Sequence, residues 1–288
     1  MTPAPQGDRP RPAATLILLR DGAAGVEVLM LKRHGLSDAF GEAFVFPGGK
    51  LDAADAALAA TDAIDEAPAV LQARLGEPGV DAATAAGLFV AAIREAAEEA
   101  GVLVADGPQP GAAARALAAL RDGTPLAAAL ARTGARLRTS ALQPWARWIT
   151  PLGRLQPKRF DARFFVAREP PDSVARHDGH ETTEAAWLRP RTALERYWAR
   201  EIALAPPQIM TLAHFARHPR VDGILAEARS RAPFHVQPHV LDDGAGMVLC
   251  LPGDPDHPVA SRVMPGPLRL AVRDARFEPD GGFEAFFA

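Results

Sequence analysis

Arg94-Glu95-Ala96-Ala97-Glu98-Glu99-Ala100-Gly101-Val102 ends an alanine-rich segment that begins near Ala82 and reads as helix. Alanine and glutamate are strong helix formers, and Gly101 stands where a C-cap glycine stops a helix. At about 100° per residue, Glu95, Glu98 and Glu99 share an arc of about 100° on one face, while Ile93, Ala96, Ala97 and Ala100 cover the other. Like charges at these spacings repel by about 0.2–0.5 kcal/mol per pair. With only Arg94 beside them, the three carboxylates are either a solvated surface or a cation site. Oxygen donors of this kind suit Mg2+ or Mn2+, which take one or two carboxylates together with waters and substrate phosphates.

Upstream, Phe46-Pro47-Gly48-Gly49-Lys50-Leu51-Asp52 contains a glycine pair, which permits positive φ and close approach of backbone to a ligand. The two stretches together resemble the Nudix box, which runs Gly, five residues, Glu, seven residues, then Arg-Glu-apolar-x-Glu-Glu-x-Gly-apolar. Counted from Gly49, the first acid falls at Asp55, one methylene shorter than the family's Glu. Asp55 and Arg94 stand 39 positions apart where the contiguous box allows eight, so 31 residues interrupt it. A box split in this way, with Phe-Pro-Gly-Gly-x-Leu-Asp before the break and Ala-Ile-Arg-Glu after it, resembles the Nudix 19-like CoA-diphosphatase branch and its bacterial relatives.

The resemblance covers about residues 13–217 and implies an α/β fold, the Nudix α/β/α sandwich with a mixed β-sheet. With the Pro-rich residues 1–12 read as a disordered tail, the expected organisation is a hydrolase domain at 13–205 with a helical insertion at 56–86 inside the box, and a C-terminal helical and strand extension at 206–288. By the same resemblance Glu95, Glu98 and Glu99 hold one to three Mg2+ or Mn2+ ions, and Arg94 keeps the carboxylates in place through an ion pair. Gly48, Gly49 and Lys50 then meet the diphosphate, with Arg33 as a further phosphate contact. Nudix domains commonly carry an acidic loop before a strand ending in Trp and followed by Pro, a layout matched by Glu181, Glu184, Trp187 and Pro190. Glu181 and Glu184 are the candidates for an extra ligand or general base, with His177 and His180 beside them. The implied function is metal-dependent hydrolysis of a diphosphate bond in a nucleoside diphosphate derivative, led by CoA or acyl-CoA. Another dinucleotide such as NADH or ADP-ribose, or a non-catalytic ligand-binding regulator, are the alternatives.

Composition narrows the partners. A net charge of −3 and a pI near 6.3 over 288 residues give no broad attraction to nucleic acid or an anionic membrane. A polyanionic, CoA-like small molecule has to be met locally, by metal and a few basic side chains. Cys250 is the only cysteine, which excludes an intrachain disulfide and fits a reducing compartment. The proline-rich N-terminus lacks an apolar core, and no apolar run approaches the ~18 residues of a membrane span. A cytoplasmic protein is expected, with a homodimer as the assembly if the C-terminal extension mediates association.

Along the chain, apolar runs at 13–20 and 26–33 predict a hairpin turning at Asp21-Gly22, with Lys32, Arg33 and His34 at the end of its second strand. A short strand is expected at 44–46, a loop at 47–49, helices at 56–62 and 68–75, and a strand starting at 102–104. Helices at 112–120 and 125–132 precede strands at 143–151 and 160–167, the latter headed by the basic pair Lys158-Arg159. Trp145 and Trp148 read as core, with an adenine-stacking surface as the alternative. Helices at 192–198, 207–217 and 221–229 and strands near 236–241, 246–251 and 268–275 complete the chain. His235, His239, Asp242, Asp254 and His257 match no tight metal-ligand spacing and read as structural.

Overall fold

In the computed structural model, residues 9–34, 42–151, 159–171, 173–179, 181–242, 244 and 246–288 are described. The first apolar run forms β1 (Arg11–Gly22) and the second β2 (Gly25–Arg33), antiparallel neighbours with Gly22 opposite Gly25. Strand structure therefore begins inside the segment expected as a tail. The turn is Ala23-Ala24 rather than Asp21-Gly22, because Asp21 stays in the ladder opposite Val26 and its carboxylate accepts the Val221 backbone N–H at 2.9 Å.

β3 (Phe44–Val45) pairs with β2, and β4 (Gly48–Lys50) pairs antiparallel with β1, Ala14 facing Gly49. The glycine pair expected in a loop is thus strand. The insertion supplies α1 (Ala53–Ala59) and α2 (Pro68–Leu75), and then α3 (Ala82–Ala100) carries the acidic face. The helix at 56–62 starts three residues earlier than expected because Asp52 and Asp55 form a capping box there. Gly101 ends α3 in the left-handed region at φ 63°. Gly87, mid-helix in α3, is dictated by packing: a Cβ there would lie 3.1 Å from the Ala56 backbone, where α1 crosses.

β5 (Ala105–Asp106) and β6 (Arg136–Leu137) form a small ribbon around α4 (Ala112–Arg121) and α5 (Leu126–Thr133). The strand expected at 102–104 begins only at Ala105, since Val102 is still tied to the helix end by its N–H to Ala96 O. β7 (Gln143–Ile149), β8 (Phe160–Arg168) and β9 (Thr182–Leu188) complete the central sheet with α6 (Pro190–Trp198), α7 (Pro206–Phe215), α8 (Val221–Ser230) and β10 (Phe234–Val236) following. Its order is β10-β7-β8-β1-β2-β3, with β4 joined to β1 and β9 to β2; β8 runs parallel to β1, and β10 to β7, in an otherwise antiparallel sheet. The chain ends in a second sheet of β11 (His239–Asp242), β12 (Met247–Cys250), β13 (Arg269–Arg273) and β14 (Arg276–Pro279), the last strand unanticipated.

Side chains alternate across a strand, so β1 divides its apolar run between two cores. Leu16 and Leu18 pack with α1 to α5, while Ile17 and Leu19 pack with α6, α7, α8 and the second sheet. This is the expected α/β/α sandwich. The boundary expected at 205–206 separates no cores: Ile209, Leu212 and Ile224 share one cluster with β1 and β2, and β10 extends the central sheet. No helix among the described residues is long and apolar enough to cross a membrane.

One phenol fastens the second sheet to this body. Tyr197 Oη donates to Phe277 O at 3.0 Å and accepts from Phe277 N at 2.7 Å, both buried, and burial pushes the phenol pKa up to about 12. Tyr197→Phe removes both of these buried hydrogen bonds, so urea denaturation is expected to show a loss of about 1–3 kcal/mol. An unchanged midpoint would mean that the hydroxyl contributes nothing to docking.

Candidate active site

The acidic face of α3 meets β4 at the mouth of a cavity of about 750 Å³. Arg94 organises it. Its Nε and Nη2 donate to the two oxygens of Asp55 at 2.8 and 3.0 Å, Nη1 donates to Glu95 Oε1 at 2.8 Å and Glu98 Oε2 at 3.0 Å, and Nη2 also reaches Lys50 O at 3.0 Å. Asp55 is 2% exposed and accepts the Asp52 N–H at 2.9 Å, so the shorter side chain works because it sits in the first turn of α1, directly against the guanidinium.

Glu99 Oε2 takes the Gly48 N–H at 2.9 Å. Neither Gly48 nor Gly49 has positive φ; both are glycine because of close approach. A Cβ on Gly48 would stand 2.6 Å from Thr15 Oγ1, and one on Gly49 would stand 2.3 Å from Glu95 Oε1.

Burial pushes the Glu95 carboxyl up to about 7 against the opposing pull of Arg94. Burial likewise pushes Glu99 up to about 8, with the Gly48 N–H and Arg33 opposing it and the charges of Glu95 and Glu181 adding to it. For Arg94, burial works against the charge, but hydrogen bonds to Asp55 and the charges of Glu95, Asp55 and Glu98 outweigh it and raise its pKa. The donor set is all oxygen, and the buried acids outnumber the one guanidinium they share. That imbalance fits a hard divalent cation.

The remaining expected residues divide. Arg33, Gly48, Gly49, Lys50 and Glu181 line the cavity with Arg94, Glu95, Glu98 and Glu99. Glu184 does not: it is exposed on β9, opposite Lys32. His177 is exposed, while His180 and Lys158 lie outside the described residues. Arg159 turns its Nε to Thr150 O at 3.1 Å. Trp148 lines the cavity, whereas Trp145 is core against His214, Phe215 and Phe234. Among the C-terminal histidines and acids, Asp254 pairs with Arg269 at 2.7 Å and His257 Nε2 lies 2.9 Å from Gln237 O.

Sequence reasoning missed the far wall. Gln208, Pro238, Leu249 and Phe277 line the same cavity, contributed by α7, the link between β10 and β11, and the second sheet. Only the Pro206-Pro207-Gln208 run offered a local signal.

The family described as NUDT19 Nudix domain matches residues 4–215. An acyl-coenzyme A diphosphatase NUDT19 of Gallus gallus is 28% identical over 285 residues, covering 82% of this chain and 74% of that protein. The Homo sapiens protein of the same name is 33% identical over 186 residues, covering 57% of this chain and 49% of that one. The crystal structure of a NUDIX hydrolase from Alicyclobacillus acidocaldarius superposes with a TM-score of 0.60 at 29% identity, covering 78% of this chain and 97% of that chain.

Glu95 and Glu99 bind protons more readily folded than unfolded, so their contribution to stability is full below the unfolded value of 4.5 and is lost as pH rises through about 7 and 8. The urea midpoint of the metal-free protein is therefore expected to fall between pH about 5 and about 9, and the Glu95→Gln/Glu99→Gln protein to show a flatter profile. Parallel profiles would remove these carboxyls as the cause.

Proposed function

The chain belongs to the NUDT19 Nudix domain family, and from that premise we propose that it cleaves the diphosphate of CoA or acyl-CoA with Mg2+ or Mn2+. That it is a Nudix hydrolase follows from the family and from the hydrolase structure it resembles. The finer reading is supported by one observation: the cavity of about 750 Å³ that the acidic face lines is also lined by the apolar side chains of Phe46, Trp148, Phe164, Leu249 and Phe277. A substrate with a diphosphate near one end and a long uncharged arm fits that division, and the relatives named above carry the name acyl-coenzyme A diphosphatase.

Glu95, Glu98 and Glu99 would hold the ion, which when bound neutralises charge on the diphosphate and acidifies a coordinated water. Arg94 positions Glu95 and Glu98 and is positioned by Asp55; the Gly48 N–H does the same for Glu99. Arg33 and Lys50 supply positive charge at the rim for the phosphates. Glu181, exposed on the same cavity and felt by Glu99, takes the proton of the attacking water. Water adds to one phosphorus, the bridging oxygen leaves with the other, and the products are 3′,5′-ADP and 4′-phosphopantetheine or its acyl derivative. A cytoplasmic location is part of the same reading, supported by a lone, buried Cys250.

The decisive measurement offers the protein Mg2+ or Mn2+ with CoA, acyl-CoAs, NADH and ADP-ribose and follows products by chromatography. CoA-type turnover abolished by a chelator is expected; hydrolysis of NADH but not of CoA would overturn the substrate, and no turnover of any would overturn the diphosphatase reading. Glu98→Gln is expected to lower kcat by at least about 10²-fold, and near-normal kcat would remove Glu98 from the ligand set.

A further inference from the structure

Far along α7 from the cavity wall, three metal-donor side chains converge. His214 and His218, four positions apart around the end of that helix, each place Nε2 3.0 Å from the same oxygen, Glu227 Oε2 on α8. The imidazoles are stacked, with centroids 5.8 Å apart and planes at 20°. Among the described residues this is the group of three donors whose ligand atoms all lie within 4.8 Å of one another.

We propose that His214, His218 and Glu227 bind a divalent transition-metal ion of the Zn2+ class, which fastens α7 to α8. Two imidazole nitrogens and one carboxylate oxygen are the donors that Zn2+ takes in three-ligand sites, with water in the fourth position. Mg2+, which requires near-octahedral oxygen, is disfavoured. Tetrahedral bonds of about 2.0–2.2 Å place ligand atoms about 3.4 Å apart, so the two N–O contacts need open by only a few tenths of an ångström. Arg231 Nε donates to the other oxygen, Glu227 Oε1, at 2.9 Å, which holds the carboxylate and leaves Oε2 to the imidazoles.

The site is reachable. His218 lines a hollow of about 330 Å³ together with Phe215 and Pro219. It also bears on the catalytic cavity, because Pro206, Pro207 and Gln208 at the other end of α7 form part of that wall. An ion fixing the far end of the helix therefore fixes the wall, independently of which diphosphate the cavity takes.

The test uses the full chain, stripped with a chelator and held in excess Mg2+ so that the acidic cavity is occupied, then titrated with Co2+ and afterwards with Zn2+. One equivalent of Co2+ is expected to give the visible absorption of a tetrahedral N/O site. The same equivalent should quench the fluorescence of Trp145, whose ring lies 4.9 Å from His214, and Zn2+ should displace it. His218→Ala, checked for folding by circular dichroism, is expected to weaken binding at least about 100-fold, and Glu227→Gln serves as the second variant should the first fail to fold. Absence of a Mg2+-insensitive equivalent in the unaltered protein would overturn the proposal. So would equal affinity in the folded variant, which would return the ion to the acidic cavity and leave Glu227 as a hydrogen-bond acceptor only.

Discussion

Arg94 is the joint at which α1, α3 and β4 meet. A guanidinium has five N–H donors in a fixed fork, and here all five are engaged: two on Asp55, one each on Glu95 and Glu98, and one on the Lys50 carbonyl. Those acceptors come from α1, α3 and β4, so one side chain sets the relation of three elements. A lysine in its place has three donors and no fork, and would leave Asp55 buried with part of its hydrogen bonding unmet. Breaking a buried pair of this kind costs about 3–5 kcal/mol, most of it the stranded charge.

The same joint explains why the box survives its interruption. The insertion between Asp55 and Arg94 is closed by packing of α1 on α3, made close by Gly87, and by the Asp55 fork at 2.8 Å. Loop-closure cost grows by only about 0.6 kcal/mol per doubling of length, so the added α2 is easily tolerated. It also has its own anchorage: Leu71 and Leu75 are buried in the core under α3.

On the other side of the sheet the cavity is lined by a segment far from the box. α7 and the second sheet supply part of the cavity lining, Pro206, Pro207, Gln208, Leu249 and Phe277, held by the Tyr197 clamp on Phe277 and by β10 on β7. The acids of α3 and the lining residues of α7 and the second sheet belong to different layers of the sandwich, with the central sheet between them.

The acidic face itself was legible in the chain because helical periodicity is local: Glu95, Glu98 and Glu99 lie within five residues, and the buried Ile93, Ala96, Ala97 and Ala100 define their opposite face. Strand alternation likewise exposed β1 and β2, and the glycine pair with the split Arg-Glu pattern marked the family. Tertiary structure alone decided what Arg94 grips, why Gly49 cannot carry a Cβ, which of Glu181 and Glu184 faces the cavity, and that Leu249 and Phe277 close it. It also brought Glu227 to His214 and His218. The physical reason is common to all of these: side-chain periodicity says which face of an element is apolar, but contacts between layers are set by how those faces pack, and no spacing along the chain records that.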